Sequence, residues 1–443
     1  MNAKNFAPWG KILTILALAL AGISFAAAAP QKPNILLIIS DDHAWTDYGF
    51  MGSTNVRTPR LDALAARSRW FPRGYVPASV CAPSLASIIT GKYPHQHGVV
   101  CNDPPMPAEM TRRQFYASAA FREGRARLTD GLASHPTLPR VLGEAGYASL
   151  QTGKWWQKGF ARGGFTEGMT HGDESRGGRH GDLGLRIGRP GLEPIYNFID
   201  KAQSNQQPFF VWYAPLLPHD PHTPPDRLLR KYTNSAPSLH VAKYWAMVEW
   251  FDESCGALLD HLQKRGLSSN TIVAYVADNG WIQSVDSPRY APRSKQSQYD
   301  GGLRTPIMLS WPSRIVPEKV DTPVSSIDLM PTLLNLAGIA PPQDLPGLDL
   351  MNTAAVQNRP AIFGACFTHD CVDLANPSPG LRWRWSVSGD WKLILPDARN
   401  ESGNPELYRI TSDPFEKTNL YEEEKDRAAA MRKAMDQWWD PAK

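Results

Sequence analysis

The chain is predicted to be an α/β protein: a large, mostly parallel sheet flanked by helices, followed by a smaller C-terminal subdomain of antiparallel strands and one helix. Three observations predict it. Residues 35–39 are an uninterrupted apolar run of strand length, the pattern of a strand covered on both faces. Residues 147–152, 209–213, 271–276 and 307–311 are also strand-like, and helix-patterned segments lie between them, an alternation that favours parallel pairing. Beyond Pro341, Pro342 and Pro346 the pattern changes to short strands at 383–387, 391–395 and 406–409 and a closing helix over 422–438.

In chain order, the first segment stands outside the fold. Lys4 and Lys11 precede an apolar run over 12–25 that ends in four alanines, so residues 1–29 read as a secretory signal peptide. The run is short for a bilayer span, which needs about 20 residues, so no stable membrane insertion is expected and the mature protein is placed in the periplasm or outside the cell. Residues 33–340 form the large domain and 341–443 the small one. Thr58, Pro59, Leu61, Leu64 and Ala65 supply an N-cap, a first-turn proline and an apolar stripe for a helix. Residues 244–262 carry apolar side chains at helical spacing, Cys255 among them, and 328–337 form the last large helix of that domain.

The net charge of +4 comes from dispersed Lys and Arg, which favours an anionic substrate modestly and gives no support for nucleic acid binding. Of five cysteines, Cys366 and Cys371 are close enough in sequence for a small disulfide loop, Cys255 reads as packing, and Cys81 and Cys101 remain.

The chemistry gathers at predicted strand ends. Asp41-Asp42 follow the first strand and Asp278-Asn279 follow another, where open α/β sheets place their ligand sites. Four oxygen-bearing side chains without a His or Cys cluster select a hard cation, Ca²⁺ ahead of Mg²⁺. The segment Cys81-Ala82-Pro83-Ser84-Leu85 opens a helix whose core side is Leu85, Ile88 and Ile89 and whose stop is Gly91, so Cys81 lies where free N–H groups favour an anion. Lys154, His219, Lys295 and Arg304 follow strands or lie in loops that reach the same edge and together suit an anionic group held at a metal. His95 and His97 follow the Cys81 helix, with a structural role and substrate contact both open.

The order of these motifs resembles that of the type I, formylglycine-dependent sulfatases of the alkaline phosphatase superfamily: Asp-Asp after a strand, Cys-x-Pro-Ser with Thr90-Gly91, Gly153-Lys154-Trp155, Pro218-His219-x-Pro221, Asp278-Asn279-Gly280, Lys295 ahead of Gly301-Gly302-x-Arg304-x-Pro306, Glu406-Leu407-Tyr408, and Asp413-Pro414-x-Glu416-x-x-Asn419-Leu420. The match runs from about Pro33 to the end of the chain. The resemblance implies sulfate ester hydrolysis in which a formylglycine-generating enzyme oxidises Cys81, Asp41, Asp42, Asp278 and Asn279 bind Ca²⁺ beside it, and Lys154, His219 and Lys295 hold the sulfate. His219 or Lys295 is then the donor to the leaving oxygen.

Two positions depart from the family pattern. Leu85 stands where the family has arginine, and Trp156 where it has histidine; the arginine belongs to the signal for cysteine conversion. His180, Arg179 and Arg162 are the candidates to replace the lost cation. Two other readings stand beside the sulfatase: a related hydrolase of phosphate or other anionic esters using unmodified Cys81, and a binding protein that keeps the anion site without turnover. Fifteen tryptophans and the insertion over 159–189, which carries His180, point to a sulfated saccharide ahead of an aryl sulfate.

Overall fold

The computed structural model describes Met1, residues 32–172 and residues 179–442. Apart from Met1, the expected signal peptide lies outside the described residues. From Lys32 onward the chain forms one compact unit, and no helix among the described residues is long and apolar enough to cross a membrane.

The first strand, β1 (Asn34–Ser40), is buried at every position. Apolar side chains on both faces explain its place at the centre. Ile35, Leu37 and Ile39 pack into one core layer, while Leu36 and Ile38 pack into the other. The remaining strands of this sheet are β2 (Arg69–Tyr75), β3 (Ala148–Gly153), β4 (Glu167–Gly168), β5 (Phe209–Ala214), β6 (Thr271–Ala277), β7 (Arg304–Ser310), β8 (Glu318–Lys319) and β9 (Val324–Ser325). Their order is β4-β3-β5-β1-β6-β7-β2-β8, with β9 also on β2. β1 runs parallel to β5 and β6, β3 parallel to β5, and only the β6–β7 and β7–β2 pairs are antiparallel.

Helices cover both faces. Cys81–Thr90 and Leu329–Leu336 contribute to the first core layer, and Pro59–Ala65, Glu193–Ser204 and Leu239–Lys264 to the second. The last of these begins five residues ahead of the predicted start because the Ser238 side chain accepts from the Val241 N–H and caps it. Cys255 is buried within it, as expected. Thr58 does not cap its helix with its side chain. The Asp252 carboxylate does so from across the core, accepting from the Arg60 N–H at 3.1 Å and the Leu61 N–H at 2.7 Å.

The C-terminal sheet has the order β10 (Ile362–Phe367), β11 (Leu381–Ser388), β12 (Trp391–Pro396), β13 (Glu406–Arg409), all antiparallel. The closing helix Lys425–Trp438 lays Ala428, Met431 and Met435 on Leu393, Leu395 and Leu407.

The cysteine pairing differs from the expected one. Cys101 is bonded to Cys371, and Cys366 is a buried free thiol. Cys366 lies one residue before the end of β10, in register with Trp383, its sulfur against Ser79 Oγ and the Ser297 carbonyl. Chain leaving a strand advances roughly 3.3 Å per residue, which carries Cys371 away to where its N–H donates to the Asp103 carbonyl at 2.8 Å. Cys101 is there.

Candidate active site

β1 and β6 end side by side, Ser40 opposite Ala277, so Asp41-Asp42 and Asp278-Asn279 leave the sheet together. The Asp278 N–H donates to the Ser40 carbonyl at 2.9 Å. Asp42 has φ +61°, a left-handed conformation uncommon for a residue with a side chain, and its N–H donates to Asp278 Oδ1 at 3.0 Å. Asn279 Nδ2 donates to Asp42 Oδ1 at 2.6 Å. All four residues are almost wholly buried.

Cys81 opens its helix from the neighbouring layer, and its sulfur meets this group. Lys154 Nζ lies 3.1 Å from Cys81 Sγ and 2.8 Å from Asp41 Oδ1. Lys295 Nζ lies 3.3 Å from the sulfur and 2.6 and 2.8 Å from the two Asp42 oxygens. Asn279 Oδ1 is 3.4 Å from the sulfur. A bridge between Asp41 and Pro218 brings the following loop alongside, so His219 Nε2 stands 3.4 Å from Asp42 Oδ2 while Nδ1 stands 2.9 Å from Asp220 Oδ1. Thus the predicted residues Asp41, Asp42, Cys81, Lys154, His219, Asp278, Asn279 and Lys295 come together.

Burial and mutual charge set their protonation. Burial pushes the Asp42 carboxyl up, but Lys295, His219 and Lys154 outweigh it and hold it below the usual range. Asp278 is pushed well above its ordinary value by burial and the nearby Asp41 charge. Burial and Lys154 work against a charged His219, but Asp41 and Asp42 outweigh them and raise it to about 10.

A cation fits here. Asp41 Oδ2 and Asp278 Oδ2 are buried without a hydrogen-bond partner, a costly arrangement for carboxylates unless an ion lies between them. One ligand atom each from Asp41, Asp42, Cys81 and His219 falls within 4.8 Å of the others. The oxygen donors of Asp41, Asp42, Asp278 and Asn279 suit a hard divalent ion.

Comparison with known proteins agrees with this geometry. Residues 33–339 match the family model described as Sulfatase. The chain belongs to the sulfatase family. Residues 293–439 match a second model, N-sulphoglucosamine sulphohydrolase, C-terminal. This sulfatase is 31% identical over 421 residues to the N-acetylgalactosamine-6-sulfatase of Canis lupus familiaris, covering 84% of this chain and 76% of the relative. It is 25% identical to the ulvan-active sulfatase of Formosa agariphila, covering 88% and 77%. Among solved structures, Ps i-CgsB superposes with a TM-score of 0.72 at 25% identity, covering 93% of this chain and 94% of that one. The phosphonate monoester hydrolase of Agrobacterium radiobacter shares the fold, with a TM-score of 0.64 at 17% identity and coverage of 92% and 95%.

Around the cluster of this sulfatase, several expectations are corrected. Arg304 does not reach it: its Nε donates to the Pro72 carbonyl at 3.0 Å and its guanidinium lies over Trp45 at 4.1 Å, because β7 starts at this residue and directs it toward β2. Arg162 is at the surface, paired with Asp130 at 2.6 Å. Leu85 is buried in the main core layer, so no charge stands at that position. The indole of Trp156 is ringed by cations: Arg179 at 5.1 Å, Arg125 at 5.4 Å and Lys154 at 5.9 Å from its centroid. His180 packs edge-on against Trp156 at 5.2 Å, and burial together with the charge of Lys154 pushes it well below the usual imidazole range. His97 is structural, its Nε2 3.0 Å from Ser87 Oγ on the Cys81 helix, and His95 stacks on Trp439 at 4.5 Å.

Two residues at the site escaped sequence reasoning. Asn102 Oδ1 accepts from the Ala82 N–H at 2.9 Å, satisfying one free donor beside Cys81. Arg125 donates to the carbonyls of Asn102 and Trp156 and so ties the two segments flanking the site. Neither sits in a motif that singles it out.

Proposed function

We propose that this sulfatase releases sulfate from a sulfated carbohydrate, using a formylglycine made from Cys81 by a formylglycine-generating enzyme and a Ca²⁺ ion held by Asp41, Asp42, Asp278 and Asn279. The observation that carries the reading is the Cys81 sulfur, 3.1 Å from Lys154 Nζ and 3.3 Å from Lys295 Nζ beside the acidic cluster. Two ammonium groups and the His219 imidazole converge around residue 81, the donor set that a sulfate's oxygens need. The carbohydrate is supported by the relatives named for N-acetylgalactosamine-6-sulfate and ulvan, and by the structural neighbour described in complex with a neocarrahexaose. Export is supported by the Cys101–Cys371 disulfide, a bond that persists in oxidising compartments.

The aldehyde of formylglycine adds water to give two hydroxyls. One gives up its proton to water as its oxygen attacks sulfur in line, the bond from sulfur to the sugar oxygen breaks, and the sugar oxygen takes a proton from His219 or Lys295. Lys154 and Lys295 hold the sulfate oxygens as their charge redistributes. A cation held by Asp41, Asp42, Asp278 and Asn279 would withdraw charge from those oxygens and from the attacking hydroxyl. The second hydroxyl then gives up its proton, its oxygen forms the carbonyl, and the carbon–oxygen bond to sulfate breaks. Water or His180 takes that proton; His180 Nδ1 is buried and has no hydrogen-bond partner.

The test is sulfate release from a panel of sulfated saccharides and aryl sulfates, with Ca²⁺ and with chelator. Calcium-dependent release from a saccharide that is lost in Cys81→Ser supports the reading. Release from phosphate esters alone, or binding of sulfated saccharides without release, replaces it with the phosphohydrolase or the binding protein.

A further inference from the structure

The segment that delivers Lys295 runs from Arg293 to Asp300 and has no regular structure before Asp300. Arg293 and Gln296 flank the lysine with φ of +58° and +64°, backbone conformations that need restraint from their surroundings. Glu416 grips both ends of this segment. Its backbone carbonyl accepts from Arg293 Nη1, and its carboxylate Oε2 accepts from the Asp300 N–H at 2.7 Å. Lys392, on β12 of the C-terminal sheet, places Nζ 2.8 Å from Asp300 Oδ1 and 2.8 Å from Glu416 Oε1. Tyr75 on β2 completes the junction, donating to Asp300 Oδ2 at 3.0 Å.

All three charged residues are at most 1% exposed. Such a buried ionic group gives little net stability over apolar replacements, so what it supplies here is geometry: it fixes where the two ends of the segment lie. The glycines after Asp300 allow the close fit: a Cβ on Gly301 would stand 2.3 Å from the Arg293 carbonyl, and one on Gly302 would stand 2.2 Å from that of Ser294. Between the two gripped ends, the Gln296 N–H donates to the Ser79 carbonyl at 2.9 Å, two residues before Cys81.

We infer that the Lys392–Asp300–Glu416 triad, reaching in from the C-terminal sheet, is a positioning device for Lys295 that sets the lysine between Asp42 and Cys81. The inference rests on the reading of Lys295 as a sulfate-holding group. The three act on Lys295 through the 293–300 segment that they grip.

Crystal structures of the wild-type protein and of the Glu416→Gln and Arg293→Gln variants read the Lys295 Nζ to Asp42 distance directly. Arg293 is exposed, so its variant folds even where Glu416→Gln fails to. Both variants are expected to break the Lys295–Asp42 contact, and an unmoved Lys295 in either overturns the inference. Calorimetric titration of the full-length protein with inorganic sulfate gives a second readout. Glu416→Gln is expected to weaken sulfate binding about tenfold, and in a Lys295→Met background to add nothing further. Equal losses in both backgrounds mean that the triad does not act through Lys295, which overturns the inference. Unchanged sulfate binding in Lys295→Met alone overturns instead the assignment of Lys295 to the sulfate.

Discussion

Lys154 Nζ spans the gap between Asp41 Oδ1, at 2.8 Å, and Cys81 Sγ, at 3.1 Å. Lys295 makes the same kind of span from Asp42, so each ammonium couples one carboxylate to residue 81.

Lys154→Met removes a buried charge that faces the reacting centre. Sulfate release is expected to fall by about 100-fold or more, as for loss of one preorganised donor, with kcat affected more than KM. Steady-state kinetics on a saccharide that is turned over checks this, and a loss confined to KM would mean that Lys154 only binds.

A cation that fills the gap between the unpartnered oxygens of Asp41 and Asp278 would couple its binding to folding. Calcium at about 100 times its dissociation constant is expected to add about 2.7 kcal/mol to stability. Thermal unfolding with calcium and with chelator measures the gain, which Asp278→Asn is expected to abolish. A variant that responds to calcium as the wild type does argues against Asp278 as a ligand.

Acid is expected to weaken the floor beneath Cys81. Burial pushes His97 down to about 3 and His95 to about 4, against 6.5 for an ordinary histidine. His97 must stay neutral, because its Nδ1 accepts from the Val99 N–H at 3.1 Å. The unfolded chain takes up protons below about pH 6.5 that the folded chain refuses, so stability is full above that pH and declines as pH falls toward 4. Unfolding midpoints between pH 7 and 4 are expected to drop less steeply for His97→Gln than for the wild type.

The Cys101–Cys371 bond closes a separation of 270 residues and flanks Asn102, the acceptor for Ala82. Cys371→Ser is expected to cost about 2–5 kcal/mol, measured by denaturant unfolding of variant and wild type. A cost near zero would show that the backbone bridge between Asp103 and Asp370 holds the two segments unaided.

Much of the site was legible because parallel strands announce their ends: an apolar run stops and carboxylates follow, as at Asp41 and Asp278. Packing concealed the rest. Strand β2 carries Pro72 and Gly74, which break its pattern and shift its register on β7. The helix Ala119–Ala133 buries Gly124 and Arg125 along with Phe121, Leu128 and Leu132, so its inward stripe looks like a solvated one. Arg304 sits in a motif with Lys295, yet only the register of β7 decides which way it points. The partner of Cys371 depended on a long-range contact that no spacing in sequence reveals.

The most direct measurement is the mass of the peptide spanning residue 81 in protein purified from its native host. An aldehyde in place of the thiol is the predicted result, despite leucine at position 85. An intact thiol in protein that releases sulfate from a saccharide would contradict the proposed nucleophile.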